Sequence, residues 1–302
     1  MKRILFLALT ALLFDSCTTI SVPEYSVGAA GGEAGGSGRQ IRIVQISDFH
    51  SNDFGEQEQL LLEQIELAKP DIIVLTGDIF DFKQKGDKPT ENVRLLLAGI
   101  RGRAPFFYVS GNHEYFFRHD DEYSSMIADY GGTVLRETAE LVELPQGALI
   151  LAGVSDPYAD LSYEERDKGT EDRGAYLARL AQAARKARAL REAHPGAPMV
   201  LLAHRPEYID DYLLFGFDVI LSGHAHGGQW RLPGINGLYA PNQGLFPKYA
   251  GGRYDFPQDG HNTAFIISRG LSYQRPAFPR IMNNPELVVI NIGIAPAAKP
   301  ES

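Results

Sequence analysis

Five apolar runs in this 302-residue chain each end in residues of the types that ligate metals, Asp, Asn and His. Residues 41–46 lead into Asp48-Phe49-His50, and residues 71–75 into Gly77-Asp78-Ile79-Phe80-Asp81. Residues 106–109 lead into Gly111-Asn112-His113-Glu114. Residues 199–202 lead to His204, and residues 218–221 to Gly223-His224-Ala225-His226. Short apolar, β-branched runs of this kind predict strands. In an α/β sheet, ligands bind in the crevice beyond the carboxyl ends of the strands. All five clusters can therefore converge on one place, and that convergence is the tightest constraint the sequence sets.

Taken singly, each cluster is weak. A Gly-Asp or an Asn-His is usually a turn with a capping residue, and a lone histidine is usually a hydrogen-bonder. Their order, each after an apolar run, is what points to a site. Asp oxygens, an Asn carbonyl oxygen and neutral imidazoles form a mixed oxygen and nitrogen set. Such a set suits Mn, Fe or Zn better than copper(I). The i, i+2 spacing of Asp48/His50 and of His224/His226 lets both members of a pair reach one centre. Gly77, Gly111 and Gly223 permit tight turns just before candidate ligands. Two ions roughly 3.5–4 Å apart form the clamp used by phosphatases and nucleases. His119, His194 and His261 lack this context. The single cysteine, Cys17, excludes an intrachain disulfide and a multi-Cys zinc site.

The rest of the chain fills in around these runs. Helices are predicted over 57–68, 93–100 and 171–193, a β-ribbon over 134–144 and 149–154, and strands over 264–267 and 287–292. Strand–helix alternation followed by closely spaced strands predicts two sheets with outer helices. No Gly/Pro/Ser-rich linker divides residues 41–294, which read as one catalytic domain, followed by a tail at 295–302. The formal net charge is −9 and no Lys/Arg block is present, which argues against nucleic acid as the main partner.

Lys2 and Arg3 precede an apolar run at residues 4–14, too short to span a bilayer as a helix. With Cys17 a few residues later, the segment resembles a bacterial lipoprotein signal, with Phe14 and Asp15 departing from the usual residues. The resemblance implies removal of residues 1–16, acylation of Cys17 and an extracytoplasmic protein anchored to a bacterial membrane. A signal cut elsewhere and an uncleaved anchor are the alternatives. Residues 17–40 are Gly-rich in their later part and aperiodic, and are predicted to form a flexible tether. Its reach would be roughly 25 Å, from about 5–6 Å times the square root of its length.

The ordered blocks D-x-H, G-D-x-x-D, G-N-H-[DE], H and G-H-x-H, spread over residues 48–226, resemble the calcineurin-like metallophosphoesterase superfamily. Gly227-Gly228-Gln229, the Pro241 segment and Ser268-Arg269-Gly270-Leu271 resemble its bacterial phosphodiesterase-type branch. The resemblance implies an α/β fold, a four-layer αββα sandwich of two mixed β-sheets flanked by helices. It implies two divalent metal ions, with Asp48, His50 and His226 on the first, Asp78 bridging, and Asn112, His204 and His224 on the second. His113 would be catalytic, beside the leaving-group oxygen, as general acid or transition-state stabiliser. Asp81 would orient a ligand or support its loop, and Glu114 could hold His113 in one tautomer. Arg205 either holds substrate phosphate or is structural.

The activity implied is hydrolysis of phosphoesters, diesters foremost, by a metal-bridging hydroxide. A pyrophosphatase acting on a nucleotide-linked lipid is the alternative within enzymes. A non-catalytic metal-binding envelope lipoprotein is the alternative outside them. Phe80, Phe82, Tyr115, Phe116, Phe117 and Tyr158 either line an acyl groove or pack beneath loops.

Overall fold

The structure is a computed structural model that describes residues 19–28, 39–81, 88–116, 119–162, 164–165, 171–258, 260–273 and 279–294. Residues 1–18, with the apolar run and Cys17, and the tail at 295–302 lie outside the described residues. Among the described residues no helix is long and apolar enough to cross a membrane.

The first sheet holds β1 (Glu24–Val27), β2 (Gln40–Ile46), β3 (Ile72–Thr76), β4 (Phe106–Val109), β5 (Thr133–Val134) and β14 (Val288–Gly293). Their order is β1-β14-β2-β3-β4-β5, with β14 antiparallel to β2 and the other pairs parallel. The second sheet holds β6 (Thr138–Leu144), β7 (Gly147–Gly153), β8 (Met199–Leu202), β9 (Val219–Ser222), β12 (Gly252–Gln258) and β13 (His261–Ile267). Their order is β12-β13-β9-β8-β7-β6, parallel in the middle and antiparallel at both edges. A two-stranded ribbon, β10 (Tyr239–Ala240) with β11 (Gly244–Leu245), stands apart.

Burial on both faces explains the unbroken apolar character of the central strands, since parallel strands covered on both sides cannot alternate with polar residues. Ile72, Val74, Val109 and Ile43 face Leu151, Val200, Leu202 and Leu221 across the space between the sheets. The opposite face of the first sheet, with Ile73 and Leu75, packs on α1 (Gln59–Ala68), α2 (Lys88–Ile100) and α4 (Asp120–Asp129). The opposite face of the second, with Met199, Leu201 and Ile220, packs on α5 (Arg173–Ala193) and α6 (Ile209–Tyr212). In α5 the buried residues Tyr176, Leu180, Ala183, Ala184 and Ala187 recur at helical spacing. Asp172 caps its start, accepting from the Ala175 N–H at 3.0 Å. The layers therefore run helix, sheet, sheet, helix.

Two sequence expectations are corrected. The ribbon predicted from 134 onward is split between sheets: β5 pairs with β4, and only β6 and β7 form a hairpin. The tether over 17–40 is not free throughout, because β1 is a strand paired with β14 and Val27 is buried. Glu24 also accepts from Arg42 and Asn291 side chains. Strand pairing and these contacts outweigh the low intrinsic order of a short segment beside a Gly-rich stretch.

Candidate metal centre

The central strands β2, β3, β4, β8 and β9 deliver all the candidate residues to one end of the two sheets. Asp48 and His50 follow β2, Asp78 follows β3, Asn112 and His113 open the short helix α3 (Asn112–Phe116) after β4, His204 follows β8, and His224 and His226 follow β9. Among the described residues, three groups of donors lie close enough to share an ion: Asp48/His50/His226, His50/Asp78/His113 and Asp78/His204/His224. Asp78 Oδ2 lies 3.3 Å from His204 Nε2 and 3.6 Å from His50 Nε2. Asp48 Oδ1 lies 3.7 Å from His226 Nε2 and 4.0 Å from His50 Nε2. Asp78 thus belongs to two of the three groups, and His50 joins the first group to the second.

The loops that make this approach are strained. Asp48, His50, Asp78, His224 and His226 all have φ between 48° and 65°, a region non-glycine residues seldom adopt. Backbone bonds hold them there: Asp48 N–H donates to Gly77 O and His50 N–H to Asp78 O, each at 3.0 Å. Gly77 meets the expected turn role, with φ of +87°. Gly223 is needed for proximity instead: a Cβ there would lie 1.9 Å from Ser47 Oγ and 2.3 Å from Asp48 Oδ2.

The donor atoms fit cations. Asn112 Oδ1, His204 Nε2 and His224 Nδ1 are buried with no hydrogen-bond partner among the described residues. Each imidazole is oriented through its other nitrogen, His204 Nδ1 by Thr76 O at 2.7 Å, His224 Nε2 by Asn242 Oδ1 at 3.2 Å and His226 Nδ1 by Ser272 Oγ at 3.1 Å. Such partners fix tautomer and ring direction in metal sites. Burial, with the Asp78 charge, pushes Asp48 up to about 6. Burial opposes charge on Asp78 too, but His204, His113 and His50 together hold its carboxyl well below the usual range. Burial also opposes charge on His204, yet Asp78 and Asp48 push it up to about 10. In the metal-free site a proton on His204 thus sits where a cation would take its place. Burial and the neighbouring Arg205 and His204 keep His224 neutral, the form a metal needs.

The family model for calcineurin-like phosphoesterases matches residues 41–228. The chain belongs to that family. Among its relatives, the uncharacterized metallophosphoesterase YkuE of Bacillus subtilis is 29% identical, over 83% of this chain and 79% of that protein. An uncharacterized metallophosphoesterase of Aquifex aeolicus is 26% identical over 84% of this chain and 86% of its own length. Cj0846 of Campylobacter jejuni, likewise an uncharacterized metallophosphoesterase, is 27% identical, and the match spans 84% of this chain but 59% of that one. Among solved structures, the phosphopantetheinyl hydrolase PptH of Mycobacterium tuberculosis aligns at a TM-score of 0.38 and 16% identity, over 76% of this chain and 90% of that one. As a family member the protein is a metal-dependent phosphoester hydrolase.

Around the metallophosphoesterase centre, several residues take roles that motif reading left open. A cavity of about 320 Å³ is lined by Asp78, Asn112, His113, Tyr158, His224 and Asn242, among others. His113 is the most solvent-reachable of the four histidines around Asp78, at 11% side-chain exposure. Its Nδ1 faces Asp81 Oδ1 at 3.8 Å and its Nε2 faces Asp78 Oδ2 at 3.9 Å, so these two carboxylates rather than Glu114 stand beside it. Glu114 instead clasps the Asp78 loop, accepting from the N–H groups of Asp78, Ile79, Phe80 and Gly111. Arg205 is buried and bound twice by Asp156, at 2.6 and 3.0 Å, with Tyr158 stacked on it at 4.5 Å. That geometry favours the structural reading of Arg205. Phe80 stacks on Tyr123 and is buried, and Tyr115 is buried too, so these two pack beneath loops; Phe82 and Phe117 lie outside the described residues. Asp156, Glu171 and Asn242 carried no motif signal, because their partners lie 49, 34 and 18 residues away in sequence.

Proposed function

We propose that the protein is a dinuclear metal-dependent phosphodiesterase, extracytoplasmic and anchored to a bacterial membrane through an acylated Cys17. The observation that carries the dinuclear reading is the position of Asp78, whose carboxylate faces both His50 and His204 while Asp48 serves His50 and His226. Asp48, His50 and His226 would hold one divalent ion, Asn112, His204 and His224 the other, and Asp78 both. Mn, Fe or Zn suits this donor set. When bound, the two cations supply Lewis-acid charge and lower the pKa of coordinated water.

The chain's own residues do the rest. Two divalent cations held there would outweigh the buried carboxylates Asp48 and Asp78, so the loaded cavity would favour an anionic phosphoester. His113, on the cavity wall, delivers a proton to the leaving oxygen, with the Asp81 carboxylate facing its Nδ1 at 3.8 Å. The backbone N–H of His113 donates to Asp78 Oδ1 at 2.9 Å, which ties His113 to the carboxylate that would be shared by both ions. Tyr158 and Asn242 also line the cavity. The lipoprotein-like order of Lys2-Arg3, apolar run and Cys17 supports the anchor.

The test is a comparison of two substrates on the Mn-reconstituted protein. The reading expects a higher kcat/KM for bis(p-nitrophenyl) phosphate than for p-nitrophenyl phosphate. A monoester preference would overturn the diester assignment, and no hydrolysis of either with any of the three metals would overturn the enzyme.

A further inference from the structure

Large exposed apolar side chains scattered singly need no explanation, but contiguous patches mark interaction sites. Six of those exposed among the described residues, Trp230, Leu232, Tyr239, Leu245, Phe246 and Met282, fall together. Trp230 bridges to Ile281, the neighbour of Met282. The Leu238 N–H donates to Trp230 O at 3.0 Å, and the Phe246 N–H donates to Leu238 O at 2.8 Å. Tyr239 and Leu245 are opposed in the β10–β11 ribbon. Backbone pairing therefore draws Trp230, Tyr239, Leu245, Phe246 and Met282 into one rim, with Leu232 two residues from Trp230, and Leu245 is 68% and Phe246 63% exposed.

This rim borders the metal cavity. Tyr239 lines the cavity beside His224 and His226, and the segment begins directly after the ligand His226. Its charge is unlike that of the whole chain. From Gly227 to Tyr254 there are three cations, Arg231, Lys248 and Arg253, and no Asp or Glu, in a chain of formal charge −9; Arg253 is paired with the following Asp255, which leaves Arg231 and Lys248.

The chain also enters the domain at this end. β1 runs parallel to β14 and β14 antiparallel to β2, so β1 begins where β2 delivers Asp48. The Ser21 N–H donates to Pro285 O at 2.8 Å, and the Leu287 N–H donates to Ser21 O at 2.9 Å. Between them, the Glu286 N–H donates to Gly270 O at 3.0 Å. Gly270 packs so closely on Asp48 that a Cβ there would lie 2.6 Å from Asp48 Cβ. Thr19–Ser21 thus lie at the end of the sheets that carries Asp48 and the other candidate ligands.

We propose that the rim is a docking face for an anionic phospholipid bilayer. Its aromatic and aliphatic side chains enter the boundary between head groups and acyl chains, where amphipathic aromatics are favoured. Lys248 meets anionic head groups. The metal cavity is then presented to phosphoesters at the lipid surface rather than to those in bulk solution. Docking of residues 19–28 replaces a long tether with a fixed orientation.

Trp230 is the only tryptophan in the chain, so its fluorescence reports on the rim alone. The experiment adds vesicles of phosphatidylglycerol, or of phosphatidylcholine, to the full-length Mn-loaded chain. The expected result is a blue shift of Trp230 emission and quenching by bromine-labelled acyl chains with phosphatidylglycerol, and several-fold less of both with phosphatidylcholine. The double variant Leu245→Asp, Phe246→Asp should bind these vesicles through the rim at least about tenfold more weakly. Its hydrolysis of soluble bis(p-nitrophenyl) phosphate should match wild type. Trp230 equally open to aqueous iodide with and without vesicles, in a chain that sediments with them, would overturn the proposal: the N-terminal segment alone would hold the membrane. Trp230 already shielded from iodide before vesicles are added, and unchanged by them, would also overturn it, because the chain's own apolar run or another protein would then cover the rim. Docking without hydrolysis of the soluble diester would support the face and refute the hydrolytic reading instead.

Discussion

At the scale of single residues, the site combines strained backbone with close packing. The positive φ angles of Asp48, His50, Asp78, His224 and His226 are maintained by cross-loop bonds rather than by local preference. Gly223→Ala should be poorly tolerated, since its Cβ would displace Ser47 and Asp48. The expected outcome is a loss of about 1–3 kcal/mol in unfolding free energy, with a drop in metal content by elemental analysis. His113 should behave differently. His113→Asn should leave metal content nearly intact while lowering kcat by about 10²–10⁴-fold, the usual contribution of a general acid. The loss should shrink for a diester with a good leaving group, which needs little protonation. A variant that loses a metal along with activity would move His113 into the ligand set, beside His50 and Asp78.

At the scale of elements, the connection between β2 and α1 contains a carboxyl whose state should govern stability. Glu58 accepts from the Phe54 N–H at 3.0 Å, and burial pushes it up to about 7 from 4.5. A carboxyl raised in the folded state favours folding while protonated. That contribution is present in full below about pH 4.5 and is lost as pH rises through about 7. The unfolding midpoint of the metal-free protein should therefore fall less between about pH 5 and pH 8 in Glu58→Gln than in wild type. A parallel pH profile in the two proteins would remove Glu58 from this role. Glu58 carries no sequence signal, because the feature that matters is burial of a polar side chain in a loop. The same holds for β1: EYSV is a short run beside glycines, and only pairing to β14, more than 260 residues away, makes it a strand. The central strands were legible because burial on both faces forces continuous runs of Ile, Val and Leu, as in IIVLT of β3.

At the scale of the whole molecule, the two-sheet sandwich followed from the alternation of strands and helices, and the clustering of the candidate ligands from what stands at the ends of five strands. The positions of Asp48, His50, Asp78, Asn112, His113, His204, His224 and His226 were all readable, since parallel strands place their carboxyl ends together. What surrounds them was not. The Asp156 clamp on Arg205, the Asn242 contact to His224 and the Glu114 clasp join residues from separate loops, and no local spacing encodes such contacts. The apolar rim was likewise hidden, because exposure of Phe246 or Leu245 is a property of the folded surface. The central claim is that this fold assembles one two-metal hydrolytic centre. Its most direct test is titration of metal-free protein with Mn, reading bound metal by elemental analysis and hydrolysis of bis(p-nitrophenyl) phosphate in the same samples. The account predicts that activity saturates as occupancy reaches two ions per chain, and that Asp78→Asn falls well short of both. Full activity at one ion per chain, or saturation with two ions and no hydrolysis, would contradict it.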